Sequence, residues 1–370
     1  MILVDFNNIS TIRYSSATSL VENKQWKTAF KKHKILPELD YDFYINLKKA
    51  FINITLDELQ SISNKYKRDY GELVICVDYD KANYWRKQLY TKYKANRDNR
   101  VSNEYDTLLG KYNFEHKSEF LDYFRKAGIK VIDKVSCLYK NNENASVEAD
   151  DIIAVLSTIP GKHLIVSNDG DYHQLMVNSN VKIYNPIERK FVSKTRKEID
   201  EKNLLSCLNG QSKDNIMPIT YDTQISQDFI KWMQEKHNIE ITDKMILTLI
   251  RDYSNYMKDY EYEKAQEDIQ LIKDGKRKLK RNLRAFEKPN FSEAKALTWL
   301  QEYGSLEDIL KLNILYKARY ELNNKLYNLH LIPVEIKEAI ISKYNEPIED
   351  RDDYQVQLYS MQNGIKDFKL

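Results

Sequence analysis

Apolar residues in the first half of the chain fall into short unbroken runs rich in Val and Ile, separated by longer stretches with helical period. The runs predict strands near 2–6, 73–78, 129–133, 163–167 and 181–184. Helical patterns lie between them, near 42–65, 115–127, 148–158 and 198–208. Continuous apolar runs of four to six residues suit strands buried on both faces, and alternation with helices implies a mostly parallel sheet covered by helices. From about residue 215 the strand signals stop. "SQDFIKWMQEKH", "DKMILTLIRDY" and "EAKALTWLQEYGSLEDILKL" have helical period, the last with a stop signal at Gly304. The expectation is an α/β region over 1–215 and a helical region over 216–370.

Acids follow these runs directly. Asp5 ends "MILVD", Asp78 ends "ELVICVD", and Asp169 and Asp171 follow "HLIVSN". In "SVEADDIIAVLS" (146–157), Glu148, Asp150 and Asp151 precede a helical apolar run. Each has a plain explanation alone. Acids in a first helical turn suit the helix dipole, Ser146 could cap that helix, and Asp is a common turn residue. Together they are harder to dismiss. Ligands of open α/β sheets bind beyond the carboxyl ends of the strands, and anions crowded there repel unless cations neutralise them. Glu148 and Asp150 cannot share a face of a regular helix, because two residues rotate it by roughly 200°. Glu148 is therefore expected before the helix or at its cap. The "NDGD" turn should aim Asp169 and Asp171 the same way.

Segment 82–112 joins the second strand to the next helix. It carries Arg86, Lys87, Lys92, Lys94, Arg97 and Arg100, interleaved with Tyr84, Trp85, Tyr90 and Tyr93. Such a mixture suits a nucleic-acid backbone with bases to stack on, and equally a solvated helix with snorkelling bases. A second basic run, 273–284, is weaker evidence, since charge runs are usually exposed helix faces.

Composition narrows the classes. The net charge of +3 over 370 residues gives no strong overall field. Cys76, Cys137 and Cys207 lie too far apart in sequence for a C-x-x-C zinc pairing. The histidines show no ligand spacing, no apolar stretch approaches the length of a membrane span, and the start lacks a charged leader. The expectation is a soluble, cytoplasmic protein (host cytoplasm if phage-encoded), monomeric, with no membrane association. A carboxylate pocket with few other ligands suits two magnesium ions, for which manganese can substitute. Beside a phosphate-binding surface, that describes two-metal phosphodiester hydrolysis, with the ions roughly 4 Å apart.

The ordered stretches "ILVDF", "CVDYDKANYWRKQLYTKYKANR", "VEADDIIAVL", "VSNDGDYHQL" and "LNGQSKDNI" resemble the 5′ nuclease (flap endonuclease) family, and within it the T-even phage ribonuclease H type. The resemblance covers about 1–216 and resumes over 288–345. It implies a PIN-like α/β fold followed by a helical DNA-binding region. It places Asp5, Asp78, Glu148, Asp150 and Asp169 at a tight metal site, and Asp171 and Asp214 at a second, with Asp151 alongside. Asp78 and Asp169 thereby count among the catalytic residues. Arg86 and Lys94 match bases that contact the scissile phosphate, with Lys87, Lys92 and Arg97 as further DNA contacts. Segment 82–112 matches the arch that a free 5′ end passes. The implied activity is magnesium-dependent cleavage of 5′ flaps and 5′ ends of DNA and RNA–DNA duplexes, as in primer removal during replication. Branched or nicked DNA is the implied partner, with a single-strand-binding protein or sliding clamp as protein partners.

Three departures stand out. Gln211 replaces an acid of the family pattern, the family's glycine-rich DNA-binding hairpin is replaced by "EKPNF", and about 70 residues (217–287) intervene before the next matching helix. Two other readings follow from the residues. One is a catalytically weak flap-binding protein, favoured by Gln211. The other is a PIN-type RNase, which would need the acids but neither the arch nor the helical region.

Overall fold

The computed structural model describes residues 1–21, 41–97, 104–238, 255–276 and 291–365. "DKMILTLIRDY", Arg100 and most of the basic run 273–284 lie outside them. The chain forms two compact units, each assembled from separated stretches: Met1–Tyr84, Val101–Thr195 and Ile332–Leu370 in one, Trp85–Arg100 and Arg196–Leu331 in the other. The division departs from a boundary at 215, because the helix Arg196–Asn209 packs with the later helices and the chain's final stretch belongs with the sheet.

The sheet unit is built on the predicted runs. β1 (Ile2–Asp5), β2 (Leu73–Cys76), β3 (Lys130–Ile132), β6 (His163–Val166) and β7 (Val181–Asn185) run parallel, with β8 (Lys190–Phe191) antiparallel at one edge, in the order β3-β2-β1-β6-β7-β8. Every residue of β1, β2 and β6 is buried, as a sheet covered on both faces requires. Strand order reverses at β1. Successive strands step one way to β2 and β3 and the other way to β6 and β7, so the carboxyl end of β1 is the switch point where α/β sheets take ligands. A small antiparallel pair, β4 (Ser136–Leu138) and β5 (Asn144–Ser146), was not foreseen.

Around the sheet pack α1 (Phe6–Val21), α2 (Tyr41–Tyr70), α4 (Glu104–Lys126) and α5 (Ala149–Leu156). Phe6 meets Phe120 and Phe124 edge-on, and Tyr14 meets Phe51. Each such side chain, fully buried, contributes on the order of 1.5–3 kcal/mol. His116 is enclosed in this core beside Tyr14, Tyr44 and Tyr112, and neither ring nitrogen has a hydrogen-bond partner. Two late helices complete the unit. α12 (Val334–Asn345) packs on α5 and β4, and α13 (Asp353–Asn363) packs on α4 and α2.

The other unit is helical: α3 (Trp85–Leu89), α6 (Arg196–Asn209), α7 (Tyr221–His237), α8 (Asn255–Lys273), α9 (Glu293–Tyr303), α10 (Leu306–Lys311) and α11 (Ile314–Tyr327). Leu205, Leu208, Ile219, Phe291, Ala296 and Ile309 form its main core. The described part of the 217–287 insertion makes its own cluster from Tyr221, Phe229, Met233 and Tyr260. Ser292 and Ser305 cap α9 and α10 through their side chains, and Gly304 separates the two helices. No helix among the described residues is long and apolar enough to cross a membrane.

Candidate active site

The switch point delivers acids from four places. Asp5 is the last residue of β1 and is buried. Its Oδ1 accepts the Asn8 N–H at 3.0 Å, and its Oδ2 lies 3.1 Å from both the Ser167 and Tyr172 hydroxyls. Burial, and to a smaller extent the charge of Asp78, pushes its carboxyl up to about 6, while the Asn8 amide opposes the rise. Asp78 follows β2 and accepts the Ala149 N–H at 2.8 Å, at the amino end of α5. There the dipole and the unsatisfied amides favour an anion.

Glu148 caps α5 with extended backbone, φ −96° and ψ 159°. Its side chain takes an N–H of the first turn, and Asp151 Oδ2 accepts the Glu148 N–H at 3.1 Å, a reciprocal capping box. The cap is thus Glu148 and not Ser146, whose hydroxyl donates instead to the Asp80 carbonyl at 2.7 Å. Asp150 sits one turn-step on, and its Oδ1 accepts the Tyr172 hydroxyl at 2.6 Å. After β6, Asp169 opens a short 3-10 helix, Gly170–Val177, and its Oδ1 accepts the Asp171 N–H at 3.0 Å. Ser167 Oγ in turn accepts the Asp169 N–H at 3.1 Å. Asp5, Asp78, Glu148, Asp150, Asp151, Asp169 and Asp171 all belong to the sheet unit, on the edge formed by the ends of β1, β2 and β6 and the start of α5.

Asp214 belongs to the helical unit. It is buried, its Oδ1 lies 2.5 Å from Arg97 Nη2 and 4.0 Å from Lys94 Nζ, and its carbonyl accepts the Lys94 N–H at 2.8 Å. Gln211 precedes it in a tight loop, where Gln211 and Ile216 exchange backbone hydrogen bonds of 2.9 Å. Gly210 is required before that loop. Its φ is +67°, and a Cβ there would stand 2.2 Å from the Ile216 carbonyl oxygen.

The basic segment is anchored rather than displayed. Arg86 is 2% exposed; its Nε donates to the Leu326 carbonyl at 2.8 Å, and its guanidinium lies 4.5 Å from the centroid of the Trp85 ring. Tyr84, Trp85, Tyr90 and Tyr93 are all buried, so these rings are packing residues and offer no open faces to bases. Asn215 Nδ2 holds the Lys92 carbonyl at 2.8 Å. Lys87, Lys92 and Lys94 are half-buried and Arg97 is exposed.

Comparison with known proteins agrees with this architecture. Residues 43–206 match the family model described as 5′-3′ exonuclease, N-terminal resolvase-like domain. Ribonuclease H of Enterobacteria phage T4 is 29% identical over 216 residues, a match covering 55% of this chain and 64% of that protein. The alignment thus spans under two thirds of that relative's length. Over this segment the chain is similar to the 5′-3′ exonuclease family. A likeness in fold reaches beyond the matched segment: T5 5′-exonuclease, solved with divalent zinc ions bound, superposes with a TM-score of 0.50 over 94% of this chain and 99% of its own, at 12% identity.

Residue patterns of the family single out acids and bases, and they pass over two side chains that shape this edge. Tyr172 reaches both Asp5 and Asp150, and Ser167 links Asp5 to the Asp169 backbone. Neither carries a signal in the sequence beyond standing near "NDGD".

Proposed function

We propose that the protein is a divalent-metal-dependent 5′ nuclease that hydrolyses phosphodiester bonds at 5′ ends and 5′ flaps of DNA and RNA–DNA duplexes. Primer removal in phage-type replication is the corresponding role. The reading is carried by the gathering of Asp5, Asp78, Asp150 and Asp169 at the switch point, where Asp5 is buried beside other anions.

The donor set fits a hard cation, since every candidate ligand there offers carboxylate oxygen. As the side chains stand, no three His, Cys, Asp or Glu residues among those described are arranged to hold one ion together. The Asn8 and Ala149 amides and the Ser167 and Tyr172 hydroxyls hold the Asp5, Asp78 and Asp150 oxygens instead. Asp5, Asp78, Glu148, Asp150 and Asp169 would hold the first ion, with Asp171 and Asp151 beside it. Magnesium, or manganese in its place, supplies Lewis acidity toward the phosphate and a water of lowered pKa. The protein's part is to fix the carboxylates. The α5 amino end holds Asp78 and Asp150, and the Asp169–Asp171 turn presents two acids from one short loop. In the helical unit, Lys94 and Arg97 are the candidate phosphate contacts that retain exposure, with Lys87 and Lys92 beside them.

The test is incubation with a 5′-labelled flap duplex, with magnesium and with EDTA. Short labelled products only in magnesium are expected. Binding without cleavage of flap, nicked or RNA–DNA substrates favours the flap-binding protein instead, and cleavage confined to single-stranded RNA favours a PIN-type RNase.

A further inference from the structure

Beside the acidic edge, the sheet unit carries a cation with no assigned task. Lys117 lies on α4, and its Nζ stands 5.7 Å from the centroid of the Phe6 ring, the residue next to Asp5. Asp78 and Asp5 are the acids that act on it, and Lys81 is the neighbouring base. Among the described residues its ammonium makes no hydrogen bond and no ion pair, in contrast to Arg97, which is paired with Asp214, and Arg86, which holds the Leu326 carbonyl. Burial pulls its pKa down to about 8, although Asp78 and Asp5 favour the charged form.

A half-buried ammonium without a partner costs free energy. A permanent carboxylate partner would remove the cost, and two stand in the neighbourhood, yet neither closes to ion-pair distance. That arrangement suits an anion that comes and goes. A phosphodiester entering the edge where Asp5 ends β1 and Asp78 follows β2 meets a field of carboxylates, and Lys117 is a cation of the same unit that opposes it.

We propose that Lys117 is a substrate-binding residue that contacts a phosphate of the nucleic acid brought to the Asp5–Asp78 edge. The assignment rests on the nuclease reading. It gives the sheet unit its own phosphate contact, separate from the bases of segment 82–112.

Lys117→Met keeps the apolar stem and removes the charge, and Lys117→Arg keeps the charge. Binding is read by fluorescence anisotropy of a 5′-phosphorylated flap duplex in calcium and in EDTA, alongside the single-turnover cleavage rate in magnesium. Lys117→Met should raise the dissociation constant about tenfold, the worth of one charge-assisted contact. It should flatten the log–log salt slope by roughly 0.7–0.9, and lower the single-turnover rate at saturating enzyme by about a hundredfold. Lys117→Arg should recover most of each loss. A melting temperature for Lys117→Met at or above wild type separates these losses from unfolding; should it fall, Lys117→Arg against wild type carries the comparison. Wild-type binding and rate in a folded Lys117→Met overturn the proposal. So does a gain in divalent-ion affinity with DNA binding unchanged, which would make Lys117 a neutraliser of the acids. If wild type binds DNA and cleaves nothing while Lys117→Met binds more weakly, the nuclease reading fails and the phosphate contact stands. If wild type does not bind DNA, both fall.

Discussion

The Tyr172 hydroxyl lies 2.6 Å from Asp150 Oδ1, and the same oxygen is 3.1 Å from Asp5 Oδ2. One phenolic proton can serve only one carboxylate at a time. The shorter contact makes Asp150 the acceptor and leaves Asp5 the weaker partner, in line with the upward shift of its carboxyl.

Tyr172→Phe should therefore loosen both acids while keeping the ring that fills the space. Partners that orient metal ligands typically affect affinity or activity by about 10–100-fold. A shift of that size in the magnesium concentration for half-maximal cleavage is expected. Superimposable magnesium titrations of the two proteins would show that the hydroxyl does not orient the ligands.

Asp169→Asn with Asp171→Asn should abolish cleavage and leave flap binding intact or tighter, because anions near a phosphate are removed. The amides can still accept the Asp171-position N–H that now closes the turn. Circular dichroism checks the fold and anisotropy the binding. Normal turnover by the double variant would remove these residues from the metal site.

Arg86→Ala should be a stability variant before it is a catalytic one. The guanidinium holds a buried carbonyl and stacks on Trp85. Losing a charged hydrogen bond and a cation–π contact costs about 2–4 kcal/mol. Arg86→Lys should restore little, since an ammonium lacks the planar fork. A melting temperature equal to wild type with a slowed single-turnover rate would instead mean that Arg86 leaves its seat to meet phosphate. Lys94→Ala, half-buried beside Asp214, should show the opposite balance, with rate falling more than stability.

His116 gives a pH dependence. Burial, and then the charge of Lys48, lowers its pKa to about 3. The folded ring stays neutral over pH 4–7, while the unfolded ring takes a proton below about 6.5. Its contribution is therefore complete above pH 6.5 and is lost as the pH falls toward the folded value, by up to about 1.4 kcal/mol per pH unit. Urea denaturation of His116→Phe between pH 6 and 4 should show a shallower decline than wild type. Equal slopes would mean that the ring is protonated in the fold.

The sheet was legible because its strands are fully buried, and full burial writes itself as unbroken apolar runs. The acids were legible for the same reason, standing where those runs stop. Helix geometry put Glu148 before α5 or at its cap, and the capping box decides for the cap. What stayed hidden depends on contacts between distant residues. An Arg beside aromatic rings reads alike whether it faces phosphate or packs in a core, and Arg86 packs. Tyr172 acts through one oxygen, which no spacing announces. α1, "FNNISTIRYSSATSLV", carries too many polar residues for a clear helical stripe, and β4 and β5 are too short to show a period. Helix α6 reads as the last element of the α/β pattern, and only its packing partners α9 and α11 assign it elsewhere.

Helix α13 ties a stretch remote in sequence to the core of the sheet unit. Val356 enters the core beside the sheet, Tyr359 stacks on Tyr123 at 4.7 Å, and the Asn363 carbonyl accepts the Asn53 side chain at 3.1 Å. In sequence, both stretches of the helical unit lie between β1 and these residues. The acidic edge at Asp5 thus shares its unit with a helix that follows the helical unit in sequence. A fragment ending at residue 215 would lack these contacts, so its sheet is expected to unfold at lower urea than the full chain's.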